Sequence, residues 1–352
     1  MSNSTSSYHY LENFTTESGY TFTGLDIQYK TWGTPNKDGS NAVLIFHALT
    51  GNAEADEWFS GFFDESSWID LDRHYVICAN ALGSCYGTTG PTTINPETGR
   101  PYSGDFPYIT IRDMVRVNQI LLDHLGVNKL EAVIGGSMGG MQALEMAIMD
   151  KRVASAILIG MGKAHSPWAI GISHTQRQAI YNDPKWQDGY YSPDDPPAEG
   201  LATARMIAMI SYRSPENYED KFGRELQKGH RQLFQVESYL NHQGSKLVKR
   251  FDANSYDRLS RAMDTHDVSR GRGLPEYVLN RLSMPVLVIG IDSDMLYPVE
   301  EQKELAGMLS NGHYNELSSR YGHDAFLLEF EQMNRLINDF YKTKEVQKNI
   351  IY

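Results

Sequence analysis

Two periodicities alternate along the chain. Between about Gly19 and Trp32, Leu25, Ile27 and Tyr29 recur at every second position, the spacing of a strand with one buried face. Continuous apolar runs follow at Ala42 to Phe46 (AVLIF), Tyr75 to Ala79 (YVICA), Ala132 to Ile134, Ala154 to Ile159 and Pro285 to Ile291 (PVLVIGI). Runs of this kind, with few polar interruptions, predict strands buried on both faces, as in a parallel sheet. Between them the spacing lengthens. Ile111, Met114, Val115, Leu121, Leu122 and Leu125 fall on one side of a helix, which Thr110 can cap, with Asp113 in its first turn and Gly126 ending it. A second helix is expected from about Met138, a third from about Val299 and a last one over about Ala325 to Phe340, with a short strand near Tyr314 to Leu317. Residues 1–12 are polar and are expected to be loosely attached. From 163 to 275 the pattern changes: Tyr, Arg, Gln and Met are frequent, β-branched runs are few, and Asp183-Pro184 and Asp194 to Pro197 punctuate the stretch. This predicts a mostly helical insertion. Strands alternating with helices around one insertion give a doubly wound α/β architecture: a first core part over 1–162, a helical lid over 163–275, and a second core part over 276–352.

Composition narrows the classes of function. The chain has 352 residues, of which 41% are hydrophobic and 22% charged, so a sizeable core can be buried. A net charge of −12, without a Lys/Arg-rich block, argues against a nucleic-acid surface. The polar start, MSNSTSSYHY, lacks an apolar signal core, and no apolar run is long enough to cross a membrane. The two cysteines, Cys78 and Cys85, lack metal-type spacing and do not suggest a disulfide framework. A cytoplasmic, reducing location and no metal site are therefore expected.

The chemistry concentrates at Ala132 to Glu145, AVIGGSMGGMQALE. Here Gly-x-Ser-x-Gly lies between a strand and a helix, the context in which that motif presents a nucleophilic serine on a strained turn. Gly135 and Gly139 leave room for close backbone approach. Ser137 is the candidate nucleophile, and the Met138 N–H at the helix start can stabilise an oxyanion. A second oxyanion N–H is expected from His47-Ala48-Leu49-Thr50-Gly51, after the AVLIF strand, with Leu49 preferred over Thr50. A serine hydroxyl needs a base and an orienter, and in an α/β-hydrolase sheet they follow in the order acid, then histidine. Asp294 follows the PVLVIGI strand, with Asp292 as its competitor. His323 lies just ahead of the last helix. The long segment Asn80 to Pro107, rich in Gly and Pro, exceeds a simple connection and reads as functional.

With these residues in place, the chain resembles the homoserine O-acetyltransferases of the methionine pathway, a branch of the α/β-hydrolase fold. The stretches that carry the resemblance are HALTG at 47–51, ANALGSCYGTTGPTTINPETGRPY at 79–102, FPYITIRDMV at 106–115 and GGSMGGMQALE at 135–145. They continue with SYRS at 211–214, ESYLNHQGSKLVKRFDANSY at 237–256, DTHDVSRGRG at 264–273, DSDMLYP at 292–298 and GHDAFL at 322–327. The resemblance implies transfer of acetyl from acetyl-CoA, as co-substrate, to L-homoserine through an acylated Ser137, with Asp294 and His323 as partners. It implies that Arg205 clamps the acceptor carboxylate, that Asp324 meets its ammonium, that no cofactor is permanently bound, and that a homodimer forms through the lids. Arg213 is the alternative carboxylate partner. A sister transferase using succinyl-CoA or L-serine, and a serine esterase of the same fold, remain open readings; a binding protein on this fold is less favoured, since no triad member is missing.

Overall fold

The structure is a computed structural model and describes residues 4–64 and 67–343. Eight strands form one sheet: β1 (Ser4–Tyr10), β2 (Leu25–Trp32), β3 (Ala42–Phe46), β4 (Tyr75–Ala79), β5 (Leu130–Gly136), β6 (Ala156–Ile159), β7 (Val286–Ile291) and β8 (Gly312–Leu317). Their spatial order is β1-β2-β4-β3-β5-β6-β7-β8. The pairs involving β1–β2 and β2–β4 are antiparallel, and every pair from β4 to β8 is parallel. Strands β3, β4, β6 and β7 are buried along their whole length, which is why they read as unbroken apolar runs.

Helices cover both faces, so the sheet separates two apolar cores. On one face, α1 (Ile111–His124), α2 (Met138–Met149) and α9 (Val299–Met308) contribute Met114, Leu121, Leu144 and Leu305. On the other, the last helix, α10 (Phe330–Lys342), packs Met333, Ile337 and Phe340 against Phe59, Phe62 and the outer side chains of β3, β4 and β7. Helix α1 starts as its sequence requires. Thr110 Oγ1 accepts from Asp113 N, and Asp113 Oδ2 accepts from Thr110 N at 3.0 Å, a reciprocal cap.

Between β6 and β7 the chain leaves the sheet and forms α3 (Pro167–Tyr181), α4 (Ala198–Tyr212), α5 (Pro215–Phe222), α6 (Gln235–Val248), α7 (Ala253–Asp264) and the short α8 (Pro275–Leu279). Leu201, Ala204, Tyr256 and Leu259 of this region join the first core.

Two expectations need correction. Residues 4–10 are not loosely attached: they form the edge strand β1, with Tyr8 opposite Ile27 and its ring stacked on His124 at 3.7 Å. An edge strand can turn alternate polar side chains to water, so its hydroxyl-rich sequence carries no apolar signal. Residues 1–3 lie outside the described part. The last helix begins at Phe330, not near Ala325, because Gly322–Leu327 winds more tightly as a 3-10 turn that carries His323.

Candidate active site

The loops after β3, β5, β7 and β8 all lie at the carboxyl edge of the parallel strands. β3 and β5 are neighbours from which the chain runs off in opposite directions, and a crevice opens at such a switch point. Ser137 stands there, between β5 and α2, at φ 57° and ψ −127°. A positive φ in a non-glycine residue costs on the order of 1–3 kcal/mol, and the surroundings enforce it here. Ser137 N donates to Ile159 O of β6 at 2.9 Å. A Cβ on Gly135 would stand 2.2 Å from the Gly139 carbonyl carbon, and one on Gly139 would stand 2.2 Å from Phe46 O at the end of β3. The strand, the turn and the helix thus touch backbone to backbone.

His323 and Asp294 meet as the residue order predicts. His323 Nδ1 lies 2.6 Å from Asp294 Oδ2, and both side chains are buried. The other carboxylate oxygen, Oδ1, accepts from Leu296 N at 2.8 Å and Tyr297 N at 2.9 Å. Asp294 is therefore anchored by its own loop, and its histidine-facing oxygen has one direction to point. The competitor, Asp292, accepts from Ser318 Oγ and Ser319 N and pins the loop after β8. His323 Nε2 is buried and has no hydrogen-bond partner among the described residues. A neutral imidazole donating through Nδ1 leaves that nitrogen as a free base. Burial alone would lower the His323 pKa, but the charge and hydrogen bond of Asp294, with the charge of Asp324, raise it above its ordinary value. Packing joins this pair to the serine turn: Phe326, 5.4 Å from the His323 ring, fills the space over Gly136.

The loop 47–51 is held by a residue whose role its sequence did not disclose. His47 Nδ1 lies 2.8 Å from Ala48 O, and Ala81 N donates to His47 Nε2 at 2.9 Å. Burial holds the His47 pKa down to about 4, so the ring is neutral and donates to the Ala48 carbonyl. This ties the loop that carries Leu49 to the segment that follows β4. The long segment after β4 is likewise tied down rather than free. Thr89 N donates to Asp26 O at 2.9 Å, and Asn80 joins Ala53 N to Tyr86 O.

The two arginines part company. Arg213 Nε lies 3.0 Å from Asp324 Oδ2, an ion pair close in distance but out of hydrogen-bond alignment. Arg205, on α4, has no ion pair among the described residues; its guanidinium lies 5.7 Å from the Tyr212 ring centre, and that ring lies 5.7 Å from His323. Burial raises the Asp324 pKa, opposed by Arg213, Arg205 and His323. Two guanidinium groups thus act on Asp324, the carboxylate next in sequence to the imidazole. Among the described residues, no cluster of His, Cys, Asp or Glu could hold a metal ion, and no helix is long and apolar enough to cross a membrane.

Comparison with known proteins agrees with this fold. The model of the alpha/beta hydrolase fold matches residues 41–330. The homoserine O-acetyltransferase of Chlorobium chlorochromatii (strain CaD3) is 53% identical over 331 residues, covering 94% of this chain and 93% of that protein. That of Trichormus variabilis is 50% identical, covering 97% of this chain and 94% of the relative. The chain belongs to the homoserine O-acetyltransferase family. Among solved structures, homoserine O-acetyltransferase from Bacillus anthracis superposes with a TM-score of 0.89 at 26% identity, covering 97% of this chain and 98% of the other. Esterase E22 superposes nearly as well, with a TM-score of 0.86 at 27% identity, covering 97% and 100%. Proteins named as a homoserine O-acetyltransferase and as an esterase thus share this fold over nearly its whole length.

Proposed function

We propose that the enzyme moves an acetyl group from acetyl-CoA to the hydroxyl of L-homoserine through an acylated Ser137, the first committed step of methionine biosynthesis. Ser137 Oγ attacks the thioester carbonyl while His323 Nε2 takes its proton. Asp294 holds the imidazole in the tautomer that leaves Nε2 free and stabilises the imidazolium. The oxyanion is received by the N–H groups of Met138 and Leu49. Coenzyme A leaves with the proton from His323. Homoserine then enters, His323 deprotonates its hydroxyl, that oxygen attacks the acyl-serine carbonyl, and His323 returns the proton to Ser137 Oγ as O-acetylhomoserine is released. The helices over 163–275 serve as a lid that keeps water from competing as acceptor.

The observation that carries this reading is the charge arrangement beside His323. Arg205, without a carboxylate of its own, suits the acceptor carboxylate, and Asp324 suits its ammonium, shared with Arg213. An esterase for neutral esters has no use for that pairing; the likeness to esterase E22 keeps hydrolysis as the second reading. The deciding experiment is a panel of L-homoserine and L-serine against acetyl-CoA and succinyl-CoA, with CoA release as readout. Ser137→Ala should abolish release. Hydrolysis of acetyl-CoA at the same rate with and without homoserine would favour the esterase. We further take the enzyme to be cytoplasmic, with no resident cofactor, and to form a homodimer through the lid, where Ile210 and Phe234 are exposed. Sedimentation tests the dimer.

A further inference from the structure

The turn after β3 holds one peptide plane by its carbonyl. Ala48 O accepts from Gly51 N at 2.8 Å, which closes a β-turn over Ala48-Leu49-Thr50-Gly51. The same oxygen lies 2.8 Å from His47 Nδ1. The tautomer of that ring is decided at its other nitrogen. A backbone N–H can only donate, and Ala81 N meets His47 Nε2 at 2.9 Å, so Nε2 is the acceptor and the proton of the neutral ring sits on Nδ1. Nδ1–H therefore donates to Ala48 O, and both lone pairs of that carbonyl are engaged. The Ala48–Leu49 peptide is trans, so its N–H points away from its carbonyl. The Leu49 side chain is anchored as well, buried in the first core. Among the described residues, Leu49 N–H meets no acceptor. The chain just before this turn lies against the start of α2: a Cβ on Gly139 would stand 2.2 Å from Phe46 O and 3.2 Å from His47 O. The far side of the loop is stapled to the same segment as the ring, because Ala53 N donates to Asn80 Oδ1 at 2.7 Å.

We propose that His47 is a positioning residue for the oxyanion site: its Nδ1–H, by holding the Ala48 carbonyl, aims the Leu49 N–H at the oxygen that becomes negative when Ser137 is acylated and deacylated. A backbone dipole stabilises a developing charge fully only if it is oriented beforehand; turning it during the reaction would consume part of the stabilisation. With the Gly51 N–H as its one contact, the plane could rock about that bond. A carbonyl swung toward the crevice would oppose the oxyanion instead of receiving it. His47 supplies the second contact, and the ring is rigid because each of its nitrogens is tied. The inference rests on the acyl-serine reaction proposed above and on Leu49 as the second donor, and adds the group that orients that donor.

The test measures single-turnover acylation by acetyl-CoA, by p-nitrophenyl acetate and by the thiono analogue of that ester, whose sulfur is a poorer hydrogen-bond acceptor than oxygen. His47→Ala should slow acylation by p-nitrophenyl acetate about tenfold to a hundredfold, less than the loss of a whole oxyanion donor, which costs about 100- to 1000-fold. The thiono ester should lose less, so the oxygen-to-sulfur rate ratio should fall. Asparagine and glutamine separate the two ring contacts. The Asn amide N–H can take the place of Nδ1–H and donate to Ala48 O, whereas the Gln carbonyl can take the place of Nε2 and accept from Ala81 N. His47→Asn should therefore recover most of the rate and the ratio lost in His47→Ala, and His47→Gln should recover neither. Recovery by Gln and not by Asn, or a loss in His47→Ala that leaves the ratio unchanged, overturns the proposal, since a ring that only braces the fold behaves in that way. Acylation by His47→Ala within twofold of the unmodified enzyme overturns it too. Nitrogen NMR of the unmodified enzyme at about pH 7 should find the His47 proton on Nδ1; the Nε2 tautomer overturns the proposal, and this arm requires no variant to fold. The underlying readings fail separately. Acylation by p-nitrophenyl acetate that survives Ser137→Ala removes the acyl-serine, and the role of His47 with it. If the esters acylate the unmodified enzyme and acetyl-CoA does not, the transferase reading fails, while the His47 series still decides its own question.

Discussion

Replacing Asp294 with Asn tests the triad through its tautomer. The substitution keeps shape and removes one charge. In the native site Oδ1 accepts two backbone N–H groups, from Leu296 and Tyr297, and Oδ2 faces His323 Nδ1 at 2.6 Å. An asparagine must choose. If its oxygen stays with the two N–H groups, its NH2 faces Nδ1, which then has to be an acceptor; the ring proton moves to Nε2, and the base is lost. If the amide flips, its oxygen can receive Nδ1–H, but its NH2 opposes two buried donors. Each buried donor left unpaired costs about 1–3 kcal/mol, so the flip is disfavoured by about 2–6 kcal/mol. At about 1.4 kcal/mol per factor of ten, the wrong tautomer prevails by roughly 30-fold to roughly 2 × 10⁴-fold. Loss of the carboxylate that stabilises the imidazolium adds to this. Acylation of Ser137 by acetyl-CoA, followed by stopped-flow CoA release, should therefore fall by at least about two orders of magnitude, while thermal unfolding changes little. Retention of more than a tenth of the acylation rate would refute the reasoning and move the orienting role away from Asp294.

The remaining expectations concern the base, the acceptor and the turn. Because Asp294 raises the His323 pKa, the acid limb of kcat/KM for acetyl-CoA should have its midpoint above the ordinary 6.5, with activity rising as the ring loses its proton; a midpoint below 6.5 contradicts this. The same shift makes the His323 contribution to stability complete below the unfolded pKa of 6.5 and lost as pH rises through the folded value, so urea midpoints should fall slightly where activity rises. Arg205→Ala should slow transfer to homoserine about tenfold or more while sparing acylation, and Arg205→Lys should restore it only in part, since a point charge lacks the planar fork; equal damage to both steps would assign Arg205 to the fold or the CoA site. Arg213→Ala leaves Asp324 without its ion pair and should lower the melting temperature as well as transfer, a combination not expected of Arg205→Ala. Gly139→Ala, whose Cβ would stand 2.2 Å from Phe46 O, should yield little soluble protein, because two backbones and not a flexible side chain would have to separate.

Much of the candidate site was legible in the chain. Buried parallel strands write themselves as apolar runs, so β3, β4 and β7 could be placed from AVLIF, YVICA and PVLVIGI. Ser137, Asp294 and His323 follow from one motif and the order of elements, because a doubly wound sheet delivers the end of every parallel strand to the same edge. What the sequence could not disclose depends on contacts between distant segments. The edge strand β1 is polar and gains its place from pairing with β2, which no local pattern records. The Arg205 and Arg213 side chains are alike in composition, and only the approach of Gly322–Leu327 to the end of α4 gave Arg213 to Asp324 and left Arg205 free of an ion pair among the described residues. His47 drew notice only as part of the 47–51 loop; its significance lies in what each ring nitrogen faces, across a gap of 34 residues to Ala81. A hydrogen bond needs its partners within a few tenths of an ångström and aligned, and that precision exists only after the whole sheet and its insertion have packed.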